Sequence, residues 1–240
     1  MKRIYILILV LIFLLAGCSG NNSESAGSID LSKPYLEVNL GFNTTSYAGT
    51  IFGKYFPSFS IWIEDEDGNF VKTLYATKKV AANKWSGSSD RPSALPIWYG
   101  VLSKEFVGRE SEKVTELDAI SGATSSKETT QIKCQIPEEL VGKKVNVYLE
   151  ANLSFDYNDH YKKDLKEGAE GFSDVNGQPS VLWKAQIDTD KASDAIIVPE
   201  IVGSGEVLGK DHEIYTDTSN VTTAKQIFTK IEYGLKGLSN

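Results

Sequence analysis

Apolar and polar residues alternate over long stretches of this chain, and a period of two marks a strand with one buried face. Leu36, Val38, Leu40 and Phe42 are separated by polar or small residues. Val145, Val147, Leu149, Ala151, Leu153 and Phe155 share one face of a long predicted strand over 144–155. Ile132, Cys134 and Ile136 alternate with Gln131, Lys133 and Gln135, which predicts another over 129–136. The runs Phe59-Ser-Ile-Trp-Ile63 and Phe70-Val-Lys-Thr-Leu-Tyr75 flank the acidic turn Glu64-Asp-Glu-Asp-Gly68. Asp67-Gly68 between two β-rich runs is a hairpin signal. Further strands are expected over 181–187 and through Ile227, Thr229, Ile231 and Tyr233, the last after one helical turn over 222–226. Pro96-Ile-Trp-Tyr-Gly-Val-Leu-Ser-Lys104 predicts a short helix with proline in its first turn. Segments 78–96 and 156–172 are polar and irregular, 104–116 is charged, and 196–207 reads as strand or packed loop. Many short strands, turn signals between them and little helix predict a mainly β, antiparallel sandwich, with a barrel as the alternative. No parallel βαβ alternation is legible, so a doubly wound nucleotide fold is not expected.

The amino end does not belong to that pattern. Lys2 and Arg3 precede an apolar run from Ile4 to Leu15 and then Leu15-Ala16-Gly17-Cys18. A basic start, a short apolar stretch and small residues at the cut make a secretory signal. The twelve apolar residues fall short of the ~20 that cross a bilayer. Ending on Cys18, the segment resembles a lipoprotein signal, in which the thiol takes a diacylglycerol thioether. The alternative is an ordinary secreted protein that loses Cys18 with its signal. Several acyl chains together anchor stably where one holds only marginally. The expected layout is therefore a signal peptide over 1–17, a flexible tether over 18–33 that is poor in apolar residues, and a single β-sandwich domain over 34–236. The domain is then extracytoplasmic and lipid-anchored to the cell membrane or outer membrane.

Charge and cysteine content narrow the chemistry. The 240-residue chain has a net charge of −7, which argues against nucleic acid or anionic lipid as its main partner. Once Cys18 is acylated, Cys134 is the sole thiol, and its strand alternation buries it; it behaves as a small hydrophobe with no disulfide partner. The chain has no G-x-S-x-G, H-E-x-x-H or C-x-x-C motif, so neither hydrolysis nor thiol redox has named residues. Asp156, Asn158, Asp159 and His160 group as metal ligands do, or as any polar loop does. The acidic turn at 64–68 is too compressed for an EF-hand loop and reads as a solvated turn.

One stretch has no structural explanation in the alternation. Asp118-Ala119-Ile120-Ser121-Gly122-Ala123-Thr124 fits D-x-x-[ST]-G-A-T, and resembles the loop on which bacterial flavin transferases esterify FMN to the final threonine. The plain alternative is a Ser-Gly loop between two elements. The same loop is found in FMN-binding subunits of sodium-pumping quinone reductases, whose fold differs. The hairpin Phe59–Leu74, the strand from Val145 with Asp156-Tyr-Asn-Asp159, and the ending Thr222-Thr-Ala-Lys-Gln-Ile-Phe228 are similar to a family of periplasmic domains of unknown function. Members of that family pair such a hairpin with a D-A-[IV]-S-G-A-T loop, and the resemblance implies an Ig-like β-sandwich. This chain departs from the family after Thr124, where Ser125-Ser-Lys-Glu-Thr replaces a proline-glycine turn and W-D-G segment.

The resemblance implies covalent FMN on Thr124, with a flavin transferase as partner, and an electron carrier rather than an enzyme. Such an acceptor needs access and no base of its own, because the transferase supplies activation. Gly122 and Ala123 keep bulk away from Thr124, while Ser121 and Asp118 can hold the turn. Trp98 and Tyr99 could stack on the flavin or pack the core, and Arg91 and Arg109 could meet the phosphate or remain solvated. The competing expectation is a surface lipoprotein that binds a saccharide, peptide or partner protein, with Trp62, Trp85 and Trp183 as a platform, although alternation turns Trp183 inward. A purely structural interaction domain is the third.

Overall fold

The computed structural model describes residues 23–24, 29–45, 49–50, 53–81, 92–105, 120–122, 128–190 and 195–237. Alternation builds its strands as expected. Tyr35–Phe42 (β2) buries Leu36, Val38, Leu40 and Phe42. It runs antiparallel between Thr129–Gln135 (β8) and Phe228–Lys236 (β12), with Val38 opposite both Ile132 and Tyr233. Ser58–Asp65 (β5) and Phe70–Thr77 (β6) form the predicted hairpin. Its turn is closed by Asp65, whose carboxylate accepts from the Asn69 backbone N–H at 2.8 Å and the Asn69 amide at 2.9 Å. Lys144–Asn152 (β9) pairs with β5 on one side and Val181–Asp188 (β10) on the other. Glu200–Ser204 (β11) completes that sheet beyond β10. A two-residue ladder, Gly49–Thr50 (β3) with Gly53–Lys54 (β4), stands apart.

The result is an antiparallel β-sandwich. Strands β8-β2-β12 face β11-β10-β9-β5-β6, and their inner faces share one core of Leu, Ile, Val and aromatic side chains. Phe228 knits the sheets together, with ring centroids 5.4 Å from Phe42, 5.8 Å from Phe59 and 5.6 Å from Trp183. Cys134 is buried on the inner face of β8, and burial pushes its thiol up to about 12.

Each sheet gains one short parallel strand that periodicity did not predict. Ser23–Glu24 (β1), in the segment expected to be a tether, pairs with Gln131 and Ile132 of β8. Ile120–Gly122 (β7) pairs with Tyr75, Ala76 and Thr77 of β6. Two or three residues are too few to show a period. The connection from β6 to β7 passes through Lys78–Ala81 (α1) and Pro96–Glu105 (α2). One parallel βαβ crossover is therefore grafted onto an antiparallel sandwich, against the expectation that the chain held none.

α2 lies on the outer face of the larger sheet and makes a third layer. Ile97, Trp98 and Leu102 of the helix pack with Val80 and Ala81 of α1 against Trp62, Ala76, Tyr148 and Leu182. That cover explains why β9 is buried on both faces, with Tyr148 and Glu150 inside as well as Val147 and Leu149. β9 ends at Asn152, short of the expected Phe155, which turns out at φ 64°. β12 also differs in detail: a bulge between Phe228 and Lys230 leaves Thr229 exposed and returns Ile231 and Tyr233 to the core.

The stretch 196–207, expected as strand or packed loop, holds a strand that switches sheets. Ile197 exchanges two backbone bonds with Tyr233 of β12, at 2.9 and 2.8 Å, and after Pro199 the chain joins β10 as β11. The polar excursion after β9 is tied to the carboxyl-terminal part of the chain by Gln178. Its amide donates to Asp156 at 2.8 Å and Thr223 at 2.5 Å, and its oxygen accepts from the Thr222 N–H at 2.6 Å.

Candidate functional site

Three residues of the D-A-I-S-G-A-T stretch, Ile120–Gly122, form the outermost strand of the larger sheet among the described residues. Ser121 pairs in register with Ala76 and Gly122 with Thr77. Asp118, Ala123 and Thr124 lie outside the described residues, as do Cys18, Trp85, Arg91 and Arg109. β6 ends at Thr77, and α1, which starts with the exposed Lys78 and Lys79, packs beside β7. The two lysines thus follow directly on Thr77, the residue that pairs with Gly122.

The helix α2, which lies between β6 and β7 in sequence, is anchored to the larger sheet by a buried glutamate. Glu150, on β9, is wholly buried beneath the amino end of α2. Its Oε1 accepts from the Ile97 N–H at 3.3 Å and from the Ser180 hydroxyl at 2.6 Å, and its Oε2 from the Trp98 N–H at 2.7 Å. A carboxylate there complements the partial positive charge of unsatisfied helix N–H groups. Burial nevertheless outweighs those three bonds and pushes Glu150 up to about 7. The Trp98 indole donates to the Thr73 hydroxyl at 3.1 Å. His212 Nδ1 lies 2.8 Å from the Pro96 carbonyl oxygen, which can only accept, so that nitrogen carries the proton. A Cβ at Gly100 would sit 2.5 Å from that of His212, so glycine lets the two segments touch. Sequence reading missed Glu150, Ser180 and His212 as a set. The one available signal was a glutamate in the otherwise apolar and amide run Val147-Tyr-Leu-Glu-Ala-Asn-Leu153.

The remaining candidates separate clearly. Trp98 is 2% exposed and belongs to the core beneath α2, while Tyr99 is half-buried. Trp62 is buried and stacks on Tyr148 at 5.2 Å, and Trp183 faces inward as expected, so neither offers a ring to solvent. Asp156 and Asn158 are held in the Gln178 network. Burial pushes Asp156 up against its bonds from Thr223 and Gln178. Among the described residues no three histidine, cysteine, aspartate or glutamate side chains group as a metal site. Shallow grooves of about 260 and 410 Å³ flank the exposed Val198, on the side of the sandwich where segment 195–204 switches sheets.

No protein-family model, curated protein or solved structure matches this chain. Its chemistry has to be argued from its own residues.

Proposed function

We propose that the chain is an extracytoplasmic lipoprotein, acylated on Cys18, that carries FMN esterified to Thr124 and relays electrons as a carrier. The observation that supports this most is the setting of the motif. β7 ends at Gly122, two residues before Thr124, at the carboxyl end of the parallel pair with β6. The residue that pairs with Gly122, Thr77, is followed directly by the exposed Lys78 and Lys79. Those ammonium groups suit the negative charge of a phosphodiester. In the transfer, the Thr124 oxygen attacks the FMN phosphorus of FAD. The pyrophosphate P–O bond breaks, AMP leaves, and the threonine proton passes to a base of the flavin transferase. Bound flavin would supply the redox chemistry, while the protein supplies attachment and orientation. Asp118, Ser121, Gly122 and Ala123 would be read by the transferase and are assigned no catalytic role.

The test is direct. The full chain is co-expressed with a flavin transferase in an exported compartment and run on a denaturing gel. Flavin fluorescence that survives denaturation, and disappears in Thr124→Ala, is the expected result. A dark band, or one unchanged in Thr124→Ala, sinks the carrier reading. A dark but membrane-bound protein would favour the second reading, a surface lipoprotein that captures a partner protein. That reading draws on the exposed Ile196, Val198 and Ile201 beside the two grooves.

A further inference from the structure

The tether and the motif strand sit at one corner of the sandwich. β1 adds to the outer side of β8, and β7 adds to the outer side of β6. β6 and β8 are in contact across the two sheets, so among the described residues the two short strands border the same side. Their directions also agree. β7 ends at Gly122 beside Thr77, the carboxyl end of β6, and that end lies with the start of β5, because Ser60 pairs with Ala76. Phe59, next to Ser60, has its ring 6.1 Å from that of Phe42, at the carboxyl end of β2. The Phe42 N–H in turn donates to the Glu128 carbonyl at 2.7 Å, at the start of β8. β1 runs parallel to β8 from Gln131 onward. The chain therefore enters β1 from the end at which it leaves β7.

Reach turns this into an orientation. Cys18 precedes Ser23 by five residues and Thr124 follows Gly122 by two, which fully extended span at most about 17 Å and 7 Å. We infer that this side of the sandwich faces the bilayer, so that whatever Thr124 carries is presented to the lipid surface instead of the surrounding solution. The inference rests on the lipidation of Cys18 and the use of Thr124 proposed above. The acidic domain is not drawn to the membrane by charge; its short, edge-docked tether holds it there. The redox partner that fits such a geometry is one embedded in the same membrane. The opposite side, where Val198 is 67% exposed between β12 and β10, points away.

The experiment does not need flavin. Thr124→Cys and Val198→Cys are prepared separately in the acylated full-length protein and labelled with a thiol-reactive fluorophore; buried Cys134 does not compete. Each is reconstituted into phosphatidylcholine vesicles containing a headgroup-nitroxide lipid. Quenching at position 124 is expected to be several-fold stronger than at 198. It should be lost when about twenty Gly and Ser residues, averaging ~25 Å, are inserted between Asn22 and Ser23. Equal quenching at both sites, stronger quenching at 198, or quenching untouched by the insertion overturns the orientation. A protein that fails to float with the vesicles overturns the anchor beneath it, and a dark band on the flavin gel overturns the cofactor alone.

Discussion

Glu150→Gln isolates a single buried charge. The wild-type carboxyl shifts from an ordinary 4.5 to about 7 on folding. A group whose folded value is raised stabilises fully below its unfolded value and loses that contribution as pH rises through the folded one. Its contribution is therefore present near pH 4.5 and gone above pH 7. At roughly 1.4 kcal/mol per unit, the change between pH 5 and pH 8 is on the order of 2 to 3 kcal/mol. The structure shows how a protonated side chain fits: its O–H can donate to Ser180 Oγ at 2.6 Å while the other oxygen keeps the Trp98 N–H. Glutamine imitates that neutral form, with its Nε2 toward Ser180 and the Ile97 N–H left without its acceptor. Urea midpoints measured for both proteins from pH 5 to pH 8 cancel the contribution of the other titrating groups, Asp156 included. Wild type should lose on the order of 2 to 3 kcal/mol relative to Glu150→Gln over that range. Parallel curves, or a wild type that gains on Glu150→Gln as pH rises, would show that the helix N–H groups hold the carboxyl ionised and would refute the argument.

Two further outcomes test the packing. Gly142 and Gly177 both have positive φ, 79° and 71°, but a Cβ at Gly142 meets open space whereas one at Gly177 would lie 2.4 Å from the Asp156 backbone nitrogen. Gly142→Ala should cost about 1 kcal/mol and Gly177→Ala about 3 kcal/mol or more in chemical denaturation; equal losses would mean the 153–180 excursion yields freely. Cys134 should ignore a disulfide reagent at pH 8 in the native protein and react fully after unfolding, since its thiol is buried and pushed up to about 12. Rapid native labelling would place it nearer the surface.

Wherever one rule fixes a segment, the fold could be read from the chain. Leu36–Phe42, the Asp67-Gly68 hairpin and the proline-led helix are local, and each came out as patterned. Thr229 did not, because a bulge shifts the face without changing the composition. The crossover was illegible because β7 owes its place to neighbours: its three residues pair with β6 and sit beside α1. Glu150 was hidden for the same reason. On its strand it reads as a solvent-facing glutamate, and only the helix, some fifty residues earlier in sequence, turns that face into interior. The motif was legible as letters, and its placement at the edge of a parallel pair was not.

That placement also bears on access. Among the described residues β7 is held by three pairings to one neighbour, whereas β5 is bonded along its length on both sides. Regions with few cooperative bonds open sub-globally at a small fraction of the global free energy. On the carrier proposal, this is what would let a flavin transferase draw the segment into its own active site and release it again while the sandwich stays folded. Amide exchange at Ile120, Ser121 and Gly122, faster than in β5 and β9, would be the signature of such a strand lent rather than lost.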